Sequence, residues 1–171
     1  NDCFVGSNTR AAVNEGRADY VPIHLHEMPR LFRRGVINLD VALVIVSPPD
    51  EHGFCSFGIE VGVTKPAALA AKVIIAEVNR RMPRTLGDTA MHIDRMHYIV
   101  PCDTPLFEMP MGDDVDQAVV EKIAAHIAEL IPDGATMQLG IGAIPDAVLK
   151  HLFGKKDLGV HSELISDGVI D

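Results

Sequence analysis

Apolar residues recur along this chain in two rhythms. Asp40–Ser47 (DVALVIVS) and Val73–Val78 (VIIAEV) are short, β-branched runs, the first closed by Pro48-Pro49. Such runs predict strands buried on both faces of a largely parallel sheet. Tyr20–Ile23 reads as a brief strand and Tyr98–Val100 as a closing one. Between the runs, residues 8–17 suit a helix capped by Ser7 or Asn8 and stopped at Gly16. Pro29 can open a second helix, with Leu31 and Phe32 opposite Arg30, Arg33 and Arg34, and Gly35 can end it; Pro66–Lys72 is a third. Helix alternating with apolar strand predicts an α/β fold of right-handed βαβ units. Residues 80–95, broken by Pro83 and Gly87, are expected to be irregular.

Residues 101–112 (PCDTPLFEMPMG) have three prolines and no period. We place a first domain at 1–104, a linker at 105–112 and a second domain at 113–171. Asp113 or Asp114 is expected to cap a helix reaching about Ile131. Its apolar positions Val115, Val119, Ile123, Ile127 and Leu130 or Ile131 should face the following sheet. That sheet begins in Ala135–Glu163, read as strand, Gly loop, a helix with Pro145 at its first position, and a second strand ending at Glu163.

Composition narrows the function classes. Lys and Arg total 15 against 24 Asp and Glu, a net charge of −9, which disfavours nucleic acid and anionic membrane surfaces. No apolar run approaches the roughly 20 residues of a membrane span and no leader opens the chain, so a cytoplasmic location is expected. Cys3, Cys55 and Cys102 lack metal or disulfide spacing, and His24, His26, His92 and His97 lack completing ligands, so no metal site is expected. The start at Asn1 and the unpunctuated end at Asp171 suggest a piece of a longer protein.

Two stretches carry candidate chemistry. The turn SPPDEHGFCSFG leaves the C-terminal end of a parallel strand, where α/β proteins bind ligands, and makes Glu51, His52 and Gly53 candidates to face a substrate; a plain surface turn is the alternative. In the second, Gly140 and Gly142 free the backbone to turn, and the helix start aims unpaired N–H groups into the loop. Parallel strands would bring Glu163 out at the same sheet edge. A carboxylate facing N–H donors suits acyl transfer, with the amides taking the charge that develops on oxygen. Spacing alone also admits a Rossmann-like NAD-binding module, with the acid on the ribose, although Pro145 stands where its third glycine is expected. It equally admits glycines that serve packing and a surface Glu163.

GIGAIPDAVL followed by HSELISDGVID closely resembles the acetyl-CoA hydrolase/transferase family, and ADYVPIHLHEMPRLF, SPPDEHGFCSFG and IAEVNRRMPRTLG extend the resemblance over nearly the whole chain. The resemblance implies two related CoA-transferase-type α/β domains with largely parallel sheets, both incomplete here. It implies transfer of coenzyme A between an acyl-CoA and a short-chain carboxylate, with Glu163 as nucleophile. Gly140, Ile141, Gly142, Ala143 and Ile144 would bind the thioester. Coenzyme A would be substrate and covalent intermediate as a glutamyl-CoA thioester, with no permanently bound cofactor and ping-pong kinetics. Acyl-CoA hydrolysis is the alternative outcome, and a homodimer is compatible with this reading.

Overall fold

The structure, a computed structural model, describes residues 3–108 and 115–170. The chain divides into two compact units, Asn1–Phe107 and Glu108–Asp171. The expected caps Asp113 and Asp114 and part of the expected linker lie outside the described residues.

In the first unit, helix α1 (Ser7–Asn14) starts at Gly6 without a side-chain cap, so neither Ser7 nor Asn8 plays the expected part. Tyr20–Ile23 forms no strand beyond a single bridge at Tyr20. Pro22, which has no N–H for a ladder, accounts for this. Helix α2 (Met28–Arg33) has Pro29 in its first turn, where the missing N–H has no intrahelical partner to lose. Strand β1 (Val41–Val46) pairs in parallel with β3 (Val73–Asn79), and β3 with β5 (Tyr98–Cys102), in the order β1-β3-β5. Helix α3 (Thr64–Ala70) precedes β3.

Residues 80–95 are more ordered than expected. Strand β4 (Ala90–His92) pairs antiparallel with β2 (Phe54–Ser56), adding a ribbon that a purely parallel reading omits. Its ordering comes from distant contacts. The Ser56 hydroxyl accepts from the Gly58 and Thr85 N–H groups, at 3.0 and 3.2 Å. The Asn79 side chain accepts from the Arg81 N–H and donates to the Thr104 carbonyl, each at 2.9 Å.

Strand β1 is not buried on both faces. Ala42, Val44 and Val46 join Cys55, Phe57, Ala68, Ile74, Ala76, Met91 and Met96 in the core, whereas Val41, Leu43 and Ile45 point outward, Leu43 77% exposed. Helix α3 and the β2–β4 ribbon contribute to the same core cluster, on one face of the sheet. Among the described residues the opposite face of β1 has no such cover.

In the second unit, Asp116 caps α4 (Gln117–Leu130), accepting from the Ala118 and Val119 N–H groups at 3.0 and 3.4 Å. Strand β6 (Thr136–Met137), helix α5 (Ala143–Lys150) and strand β7 (Gly159–Val160) form a parallel βαβ unit. The expected stripe of α4 is rotated from its predicted role. Val119, Ile123 and Ile127 are exposed, while Val120, Ala124 and Ala128 pack against Ala147, Val148 and Leu152. Two alanines at four-residue spacing let α4 approach α5 closely, and two-residue strands are too short to cover a wide apolar stripe.

Candidate active site

The loop from β6 into α5 contains the predicted Gly140–Ile144 segment. Gly142 caps α5 at φ 121° and ψ −177°, a conformation essentially restricted to glycine. Gly140 differs: a Cβ there would meet only the Pro145 ring, at 3.6 Å, and its φ is not positive. The expected need for glycine at both positions therefore holds at Gly142 on conformational grounds alone.

Ala143 is the first helical residue, so Pro145 stands third rather than first. Its missing N–H still falls among those without an intrahelical partner. The donors left at the helix mouth belong to Ala143 and Ile144, because Asp146 N–H already bonds the Gly142 carbonyl at 3.2 Å. No side chain caps this end. The positive end of the helix dipole and two N–H groups thus favour an oxyanion.

Strand β7 ends at Val160, sooner than predicted, and Glu163 lies in the exposed bend beyond it. Its connection to the Gly loop runs through a residue that sequence reasoning missed. The Ser162 hydroxyl accepts from the Leu139 N–H at 3.1 Å and donates to the Leu139 carbonyl at 2.8 Å. Leu139 immediately precedes Gly140, and Ser162 immediately precedes Glu163. A polar residue between a strand and the candidate acid was the only signal, and it is not specific.

Beside the loop lies an apolar recess of about 200 Å³ lined by Ile127, Ile131, Met137, Leu139, Ile144 and Val148 among others. Elsewhere in the second unit, Asp146 Oδ1 and Ser166 Oγ are buried without hydrogen-bond partners. A larger recess, about 830 Å³, lies in the first unit between α2 and α3, with Phe32, Lys65, Leu69 and Asp88 in its walls. It includes none of the predicted site residues. Lys65 bonds Asp88 there at 2.5 Å and lowers its carboxyl pKa.

Glu51, His52 and Gly53 occupy the turn leaving β1. Glu51 and His52 are exposed, with 3.6 Å between the Glu51 carboxylate and the His52 imidazole. The turn itself is tightly held: Asp50 accepts from the His52 and Phe54 N–H groups at 3.0 and 2.8 Å, and Arg84 pairs with it at 2.5 Å. Gly53 sits at φ 81°, and a Cβ there would lie 2.7 Å from the His92 ring. Geometry and close packing both require glycine at this position.

The Phe54 N–H bond holds the Asp50 carboxyl below its usual value; partial burial opposes this, and the His52 N–H and Arg84 reinforce the lowering. A lowered folded pKa means that the charged form stabilises the fold. This contribution is complete above the ordinary carboxylate pKa of about 4 and disappears as pH falls through the lowered value. Asp50→Ala should therefore melt below the parent protein at pH 7, and the difference should vanish in scans well below pH 4. A difference independent of pH would assign the loss to packing instead.

The histidines considered as ligands have structural partners. His97 accepts from the Ile74 N–H at 3.0 Å, and His92 accepts from the Asp94 N–H at 3.2 Å. His24 and His26 stack at 5.7 Å. Among the described residues no group of three His, Cys, Asp or Glu side chains is placed to hold a metal, and no helix is long and apolar enough to cross a membrane.

Residues 1–107 match the family described as the acetyl-CoA hydrolase/transferase N-terminal domain. The chain is 55% identical to a 4-hydroxybutyrate coenzyme A transferase of Clostridium kluyveri, across all of this chain and 39% of that protein. It is 50% identical to a succinyl-CoA:acetate/propanoyl-CoA:succinate CoA transferase of Fasciola hepatica, over 98% of this chain and 35% of that one. The crystal structure of a 4-hydroxybutyrate CoA-transferase from Porphyromonas gingivalis superposes with a TM-score of 0.79 at 44% identity, covering 98% of this chain and 42% of that one. The chain thus spans about two fifths of the length of these relatives. Acetyl-CoA hydrolases are similar at 26% identity, and nothing in these similarities supports an NAD-binding module.

Proposed function

Because the chain belongs to the acetyl-CoA hydrolase/transferase family, we propose that it carries the nucleophile and thioester-binding loop of an acyl-CoA:carboxylate CoA-transferase. The observation that carries this reading is the exposed Glu163 bend tied, through Ser162 and Leu139, to a loop whose helix mouth offers free N–H donors. In this reading residues 1–104 belong to the first CoA-transferase domain, and residues after the linker begin a related second one.

The Glu163 carboxylate attacks the thioester carbonyl, the C–S bond breaks, and CoA leaves as thiolate, so that a mixed anhydride of Glu163 and the acyl group remains. The thiolate then attacks the glutamyl carbonyl, releasing the first acid and leaving a glutamyl-CoA thioester. An incoming carboxylate attacks that thioester, the C–S bond breaks to release CoA thiolate again, and a new anhydride forms. Returning thiolate takes the acyl group and restores Glu163. The amides of the Gly140–Ile144 loop stabilise the oxyanion formed at each attack. Glu51, His52 and Gly53 form a substrate-facing rim in the first unit, and their fixed turn suits that role. Coenzyme A is a substrate here, and the acids exchanged are short-chain carboxylates.

Higher identity to transferases than to hydrolases favours transfer over hydrolysis. With the complete protein and one acyl-CoA, initial rates at varied acetate should give parallel double-reciprocal lines, and a second acyl-CoA should accumulate in step with loss of the first. Rates indifferent to every carboxylate, with free CoA as the product, would establish hydrolysis instead.

A further inference from the structure

We infer that Ser162 is a positioning residue for Glu163, a role that rests on the nucleophile reading above. The β6–β7 pairing ends at Met137 and Val160, and one more bond, from the His161 N–H to the Met137 carbonyl at 2.9 Å, continues it. Beyond that the backbones no longer pair. A side chain takes over, because the Ser162 hydroxyl engages both the N–H and the carbonyl of Leu139, at 3.1 and 2.8 Å.

One hydroxyl thereby fills the place of a further rung. Only a group that can accept and donate at once satisfies both backbone atoms of one residue. The two contacts fix Leu139 against the residue that precedes the acid. On one side the chain continues at once into Gly140, and on the other into Glu163. Bends have no ladder of their own, so without this bond neither segment has a hydrogen-bonded reference to the other at this level of the structure. Ser162 is half-buried and Leu139 is buried, which keeps water from replacing the hydroxyl freely.

The consequence is a geometric role, expressed in kcat. Small displacements of a reacting group cost about 10²-fold in rate. In the complete protein, Ser162→Ala should lower kcat about 10²-fold with KM for acyl-CoA nearly unchanged. Ser162→Thr, which retains the hydroxyl, should restore most of the rate. Amide exchange at Leu139 should quicken in Ser162→Ala and not in Ser162→Thr, a readout independent of catalysis. Wild-type kcat in Ser162→Ala, or a folded Ser162→Thr as slow as Ser162→Ala, would overturn the role. If Ser162→Ala does not fold, Ser162→Cys against Ser162→Thr decides: a folded, slow Cys variant beside a fast Thr variant supports it, and equal rates overturn it. Glu163→Gln run in parallel separates the two ideas. An active Glu163→Gln enzyme means the nucleophile reading has failed, whereas an inactive one beside a fast Ser162→Ala enzyme means that only the positioning role has failed.

Discussion

Replacing Glu163 by glutamine in the complete protein should abolish CoA transfer, with kcat falling roughly 10⁴-fold or more. The amide keeps the size and hydrogen-bonding reach of the acid but cannot attack a thioester. Because Glu163 is exposed in the bend after β7, the substitution leaves the packing of Ala147, Val148 and Leu152 untouched, and the melting temperature should not move. The decisive measurement is covalent. After incubation with acyl-CoA and borohydride reduction, peptide mass spectrometry should find the modification on Glu163 in the parent protein and none in the variant. CoA attached at another residue, with turnover intact in Glu163→Gln, would remove Glu163 from the mechanism.

The second large effect belongs to Gly142. At φ 121° any residue with a Cβ is strained, at a cost of about 1–3 kcal/mol, even though nothing lies within 4 Å of the added carbon. The chain can relieve that strain by re-aiming the start of α5, which carries the Ala143 and Ile144 donors with it. Losing one properly aimed oxyanion donor costs about 10²- to 10³-fold. Gly142→Ala should therefore lower kcat by about that factor while the protein still folds. Gly140→Ala is the matched control for stability: its added carbon meets only the Pro145 ring at an ordinary 3.6 Å, so its thermal melt should match the parent's. Full activity in Gly142→Ala would mean that this turn does not aim the donors.

Much of this was legible in the residues themselves. The β-branched runs at 41–46 and 73–78 announce parallel strands, and the Gly loop before α5 announces a helix mouth, because these depend on local periodicity and local backbone freedom. What the sequence hid depends on contacts between distant residues. Nothing local in residues 80–95 says that Ala90–His92 pairs with Phe54–Ser56, or that the Ser56 hydroxyl anchors Thr85. Periodicity found the apolar positions of α4 but misjudged which of them pack, since closeness to α5 selects Ala124 and Ala128 over the larger Ile123 and Ile127. At the candidate site, the residue types of loop and acid were readable, but the Ser162–Leu139 bond was not. It joins residues 23 apart in the chain, two positions beyond the end of β7.

Strand order in the parallel sheet repeats chain order, β1 then β3 then β5. Each later strand of this sheet therefore pairs with the sheet strand that precedes it in the chain, and neither of the two pairings waits for a strand made much later. Loop-closure entropy, which slows sheets built from distant strands, is met in two modest steps. The cost falls on β1. Its Val41, Leu43 and Ile45 stay turned toward water after the sheet has formed, an apolar row of the kind that invites association with another surface.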